Sequence, residues 1–171
     1  KVGSGGMGAV YQVHEADEAP PGTSALKLSI PPADESAADC VARTIRCERE
    51  FASVLLLDHP NIIKPFSFFR WPSATSGHPC IVMPFVHGEQ LNKHCRQVQP
   101  TLRTMLASLL VPMAEALDYI HGKGLFHRDI KPANIMVRTA DGVPLLMDFG
   151  IARATAGSTL TSTELLTTYE Y

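Results

Sequence analysis

The chain has 171 residues, 45% of them hydrophobic and 19% charged, which is the composition of a folded globular protein and excludes a disordered one. Its formal charge of -2, with basic residues scattered rather than blocked, gives no general attraction to nucleic acid or an anionic membrane, and neither partner is expected. Cys40, Cys47, Cys80 and Cys95 show no C-x-x-C spacing and no signal peptide is evident, so zinc and a disulfide framework are poor expectations. A cytoplasmic setting fits best, with a membrane anchor elsewhere in a longer protein left open. The apolar stretch Met105 to Leu117 is broken by Pro112 and Glu115 and is too short to span a bilayer.

The chain opens on Gly3-Ser4-Gly5-Gly6-Met7-Gly8, followed by Ala9-Val10-Tyr11-Gln12-Val13, where apolar and polar residues alternate as in a strand. Glycines lack a Cβ and let backbone amides approach a phosphate closely. A dinucleotide fold wants such a motif to open a helix, whereas here a strand follows it. The segment from His14 to Ser24 has no hydrophobic rhythm and contains Pro20-Pro21-Gly22, so it reads as a surface loop. Lys27 then sits in the short apolar run Ala25-Leu26-Lys27-Leu28, where a lone lysine is ordinarily an edge-strand solubiliser.

After Pro31-Pro32, residues 41–57 read as a helix with Cys47, Phe51, Val54 and Leu55 on one face. Glu48 and Glu50 both flank that apolar stripe, and a helical wheel does not choose between them. Ile81-Val82-Met83-Pro84-Phe85-Val86 reads as a buried strand. From Leu102 to His121, Leu106, Leu109, Leu110, Met113, Leu117 and Ile120 keep helical spacing. Pro112 lies inside that helix and removes a hydrogen bond, so a bend is expected there. His14, His78, His87 and His94 lie in polar contexts without ligand partners at metal spacing and are expected to face solvent.

Most of the chemistry is carried by His127-Arg128-Asp129-Ile130-Lys131-Pro132-Ala133-Asn134 and, further on, Asp148-Phe149-Gly150. A carboxylate at 129 accepts a proton from an attacking hydroxyl, and an ammonium at 131 neutralises a transferring phosphoryl. Asn134 and Asp148 offer hard oxygens to magnesium. Ile135-Met136-Val137 and Leu145-Leu146-Met147 are apolar runs separated by Asp141-Gly142, a strong turn signal, and therefore form a β-hairpin. Its paired strands bring Asn134 and Asp148 together at the open end, where they can share a metal.

With these motifs in this order the chain resembles the protein kinases, and the Lys-Pro-x-Asn continuation is similar to the serine/threonine branch. The Gly-Gly-Met-Gly-x-Val-Tyr and Asp-Phe-Gly-Ile-Ala-Arg forms resemble the eukaryotic-type enzymes common in bacteria. That resemblance implies an α+β, bilobal fold, with a small β-rich N-lobe over 1–84 and a hinge and incomplete, mainly helical C-lobe over 85–171. It implies ATP and Mg2+ as cofactors and protein substrates with Ser or Thr acceptors. Catalytic roles fall to Asp129, Lys131, Lys27 and Glu50, the last preferred to Glu48 on family spacing from His59. Nucleotide contacts fall to Gly3, Ser4, Gly5, Gly6, Met7, Gly8, Val10, Ala25, Lys27, Met83, Pro84, Val86 and Met136, and metal contacts to Asn134 and Asp148. His127 is expected to be structural.

Both ends are abrupt, and the chain reads as a piece of a longer protein. Residues 151–171 are rich in Ser and Thr, and a phosphate on Thr161, Ser162 or Thr163 has the Arg128 guanidinium as a partner by resemblance. Autophosphorylation there, in trans within a kinase dimer, is the expected regulation. A pseudokinase scaffold and a small-molecule kinase remain as rival readings.

Overall fold

The structure is a computed structural model that describes residues 1–5, 8–14, 23–30, 35–73 and 77–149. The phosphate-acceptor candidates Thr161, Ser162 and Thr163 and the loop residues Gly6 and Met7 lie outside the described residues. The chain divides into two compact units, one of 1–55 with 64–85 and one of 56–63 with 86–171. Residues 56–63 thus join the second unit although they precede a segment of the first.

The first unit is built on an antiparallel sheet whose order among the described residues is β1-β2-β3-β5-β4. Its strands are β1 (Gly3–Gly5), β2 (Gly8–His14), β3 (Thr23–Leu28), β4 (Ser67–Trp71) and β5 (His78–Pro84), together with one helix, α1 (Ala37–Leu55). Strand β3 is central, so Lys27 lies across from Val10 on one side and Ile81 on the other. It is not the edge residue that an isolated lysine suggests. Gly8 has φ +132, and a Cβ added there would come within 2.0 Å of the Leu28 carbonyl oxygen. The close approach of β2 to the end of β3 therefore demands a glycine.

Helix α1 starts earlier than its apolar rhythm predicts, and the reason is a cap. The Ser36 hydroxyl accepts the Asp39 backbone N–H at 3.1 Å and donates to the Asp39 carboxylate at 2.6 Å. This satisfies a donor that a helix start otherwise leaves unpaired. Phe51 and Val54 are buried, and the Phe51 ring meets Phe68 of β4 at 5.6 Å between centroids. The same helix buries Arg43, which lies one turn before Cys47 on the apolar stripe but whose charge argues against burial.

The second unit carries β6 (Gly88–Gln90), α2 (Leu91–Val98), α3 (Leu102–Thr104), α4 (Val111–Gly122), β7 (Ile135–Arg138) and β8 (Pro144–Leu146). The anticipated bend at Pro112 takes a specific form: Met105–Leu110 is a π-helical turn between α3 and α4. The Val111 N–H reaches back five residues to Leu106, and Pro112, which has no N–H to give, falls in the first turn of α4. The widened turn alters the side-chain register. Leu109, Met113, Ala116 and Ile120 are buried while Leu106 and Leu110 are exposed.

Strands β6, β7 and β8 form a three-stranded antiparallel sheet among the described residues, with Ile135 across from Leu146 and Val137 across from Pro144. The anticipated turn is present, with Gly142 at φ +73 and Arg138 paired to Asp141 at 2.6 Å. A loop distant in sequence is tied to the hairpin as well. Asn61 donates its side-chain amide to the Pro144 carbonyl at 2.8 Å, and its own carbonyl accepts the Leu146 N–H at 2.8 Å.

Replacing Gly8 by alanine is expected to lower the urea unfolding free energy by about 1–3 kcal/mol, the cost of forcing a side chain into this backbone region against a carbonyl. An unchanged urea midpoint would show that the β2–β3 approach relaxes freely.

Candidate active site

In the first unit the Lys27 ammonium donates to the Glu50 carboxylate at 3.2 Å, with both side chains about one fifth exposed (19% and 20%). Glu48 goes elsewhere, accepting from Arg70 of β4 at 2.6 Å. The two carboxylates that a helical wheel leaves equivalent are thus separated by which strand each one meets. Glycine-rich strands β1 and β2 pair directly, Gly3 with Val10 and Gly5 with Gly8, so the motif opens a β-hairpin and not a helix. That geometry rules out a dinucleotide-type turn. Ala25 is buried and lies across from Met83, while the exposed Pro84 ends β5 across from Ser24.

In the second unit four of the expected residues converge. Lys131 donates to the Asp129 carboxylate at 2.7 Å, and Asn134 donates its amide both to that carboxylate at 2.8 Å and to the Asp129 carbonyl at 2.9 Å. The hydrogen bond to Lys131, followed by that to Asn134, holds the Asp129 carboxyl below its ordinary range, so it is an anion at neutral pH. The hairpin supplies the rest of the placement. Beyond the Ile135–Leu146 pair, the Met147 N–H donates to the Asn134 carbonyl at 3.0 Å, which sets Asp148 beside Asn134. Val86 and Met136 are half-buried, and Met136 lies between Gln90 of β6 and Leu145 of β8.

His127 organises this region from beneath. It is 1% exposed, its ring lies 4.7 Å from that of Phe149, and its Nε2 bonds the Met147 carbonyl at 2.9 Å. Its Nδ1 accepts the Asp129 backbone N–H at 3.3 Å. Those two bonds require the neutral ring protonated on Nε2, and burial pushes the imidazole below its usual range in the same direction. Sequence reasoning gave His127 no particular contacts and overlooked Asn61, whose bonds to the hairpin hold β8 in place. The one available signal for Asn61 was a side chain rich in hydrogen-bonding groups set among Pro60, Ile62 and Ile63.

A family model described as "Protein kinase domain" matches residues 1–171. The chain is 39% identical over 175 residues to a serine/threonine-protein kinase, PknJ, of Mycobacterium tuberculosis, covering 99% of this chain and 28% of that protein. It is 34% identical over 171 residues to the serine/threonine-protein kinase PknD of the same species, covering 99% of this chain and 24% of that one. A probable serine/threonine-protein kinase of Corynebacterium efficiens is 39% identical over 119 residues, 70% of this chain and 18% of the relative. The paired strands under the glycine motif and the Asp129 cluster, joined to these likenesses, leave one family: the chain belongs to the protein kinases. It spans less than a third of the length of these relatives. Protein kinases use ATP and typically a divalent metal ion, and act on proteins.

The lowered His127 value gives stability a sign with pH. Below about 6.5 the unfolded imidazole takes up a proton that the folded one refuses. Stability therefore falls as pH drops below that value and levels off beneath the folded value. Urea midpoints measured at neutral pH and on the acid side are expected to differ less in His127→Gln than in the wild type. For Asp129, whose carboxyl is held down first by Lys131, the acid limb of the kcat/KM profile is expected to move to higher pH in Lys131→Met. An unmoved limb would show that another group sets the limb.

Proposed function

We propose that this chain is the nucleotide-binding and catalytic part of a protein serine/threonine kinase that transfers the γ-phosphoryl of ATP to a Ser or Thr hydroxyl. The observation that carries the reading is the Asp129 carboxylate, ionised and oriented by Lys131 and Asn134 at the mouth of the hairpin that ends in Asp148. In this reading Asp129 orients the acceptor hydroxyl and takes up its proton. Lys131 faces the charge that develops on the transferring phosphoryl. Lys27, oriented by Glu50, holds the α and β phosphates, and the backbone from Gly3 to Gly8 closes over them. Val10, Ala25, Met83, Pro84, Val86 and Met136 receive the adenine, the Pro84 carbonyl as an acceptor.

Asn134 and Asp148 suit magnesium by chemistry and position. Both amide hydrogens of Asn134 are committed to Asp129, which leaves its amide oxygen as the cation ligand, and Asp148 adds a carboxylate from the neighbouring strand end. Magnesium bound there would draw charge from the phosphate oxygens and fill its shell with water and ATP. Catalysis by the chain itself is then mostly positioning and charge neutralisation. The reading extends to the 1–84 and 85–171 division into lobes, to a cytoplasmic setting where ATP is available, and to autophosphorylation at Thr161, Ser162 or Thr163 by a second copy.

The test is intact mass of the full-length protein after incubation with magnesium and ATP, beside an Asp129→Asn form and a mixture of the two. Phosphate on the wild type alone, and on the Asp129→Asn form only in the mixture, is the expected result. Absence of phosphate in every arm, with a generic protein substrate also unmodified, would instead make the chain a nucleotide-binding scaffold.

A further inference from the structure

Arg43 is a charged side chain inside the first unit for which the proposed reaction has no use. Its guanidinium is 9% exposed as a residue and meets Glu35 through Nε at 2.9 Å and through Nη2 at 3.1 Å. Nη1 donates to the Ser29 carbonyl at 3.0 Å and to the Ser29 hydroxyl at 3.1 Å, and Nη2 lies 3.5 Å from the Cys40 sulfur. Ser29 is itself buried and directly follows Leu28, the last residue of β3. A buried guanidinium satisfied at so many points is rigid, because any movement strands a charge or a carbonyl without a partner.

The position of Arg43 gives that rigidity a purpose. Arg43 and Glu50 lie seven residues apart on α1, two helical turns, and therefore on one face. Their partners, Ser29 and Lys27, stand two residues apart along one extended stretch of chain. The helix is thus fastened at two points, to Lys27 in β3 and to Ser29 just past its end, and rotation or sliding that would carry Glu50 away from Lys27 has to break the Arg43 cluster first. Glu48 with Arg70 braces the helix to β4 but does not fix its register along β3.

We propose that Arg43 is a positioning residue that sets the rotational register of α1 and so holds Glu50 on Lys27, a role resting on the kinase reading for its consequence in turnover but not for its geometry. Arg43→Met keeps the length and loses the donors, Arg43→Lys keeps the charge but gathers its donors on a single nitrogen, and Arg43→Met with Glu35→Gln avoids an uncompensated buried carboxylate if the single change unfolds the protein.

The first measurement needs no activity. A water-soluble carbodiimide joins contacting carboxylate and ammonium groups as an amide, the water removed going to the reagent as its urea. Peptide mapping of the full-length protein then gives the Lys27–Glu50 product relative to the Lys131–Asp129 product as an internal reference. The Lys27–Glu50 product is expected to be lost in Arg43→Met and in the double variant, and partly retained in Arg43→Lys. An unchanged ratio in the folded variants overturns the inference whether or not the wild type is a kinase.

The second measurement is turnover. Arg43→Met is expected to lower kcat about tenfold in the wild-type background and to have no further effect in a Glu50→Gln background, while thermal stability falls equally in both. Equal loss of kcat in both backgrounds would assign Arg43 to general stability and overturn the proposal. A wild type that transfers no phosphate, with the cross-link still dependent on Arg43, would instead sink the kinase reading and leave the positioning role standing.

Discussion

The second unit depends on the two hydrogen bonds that the Asn134 amide gives to Asp129. One goes to the carboxylate and one to the carbonyl, so a single side chain fixes both where Asp129 sits and which way its carboxylate faces. Asn134 is held in turn, since its carbonyl accepts the Met147 N–H and its chain runs straight into β7. The charged loop is therefore registered against a hydrogen-bonded ladder. A loop carboxylate alone would lose conformational freedom at its own expense, whereas here the ordering cost is shared with a hairpin that folds on its own pattern.

The first unit solves a comparable problem with charge. Helix α1 carries Arg43, Glu48 and Glu50, and each has a partner on or beside the sheet: Ser29 with Glu35, Arg70 and Lys27. The pairs are partly buried, so solvent screens them less than surface pairs, and removing one member leaves the other exposed to the full cost of desolvation. Apolar packing of Phe51 on Phe68 gives adhesion without direction. The ion pairs supply the direction, and they hold the Lys27 ammonium at one point against Glu50.

Legibility in the sequence followed the range of the interaction. The hairpin was readable because its turn, Asp141-Gly142, and its two apolar runs are local, and the neighbourhood of Asn134 and Asp148 follows from pairing alone. The glycine motif was readable as a strand opener from the alternation in Val10 to Val13. Helical periodicity does not separate Glu48 from Glu50, and only family spacing favours Glu50, because the physical answer lies in which of two strands, distant in sequence, faces each carboxylate. Apolar rhythm places the start of α1 at Val41, inside its true start at Ala37, because the first turn is held by the Ser36–Asp39 cap and not by apolar residues. Arg43 falls on the apolar stripe by spacing, but its charge argues for solvent, and the partners that permit its burial, Ser29 and Glu35, are announced by no periodicity.

One further dependency links the backbone to the chemistry. Arg128 and Asp148 both occupy the left-handed region, with φ of 64 and 54. Such a conformation is tolerable for aspartate and costlier for arginine, with each strained residue carrying on the order of 1 kcal/mol or more. They persist because the surroundings over-determine them, and the agent is His127. Its ring accepts the N–H of Asp129, the residue after Arg128, and bonds the carbonyl of Met147, the residue before Asp148. One buried imidazole thus grips the chain next to both strained positions. Protonation would turn Nδ1 from acceptor to donor and release the grip at Asp129, so the burial that keeps the ring neutral also holds the backbone beside both strained residues. The apolar contact with Phe149 and the lowered affinity for a proton are two consequences of the same burial, and the backbone geometry beside Asp129 and Asp148 rests on a buried ring that touches neither carboxylate.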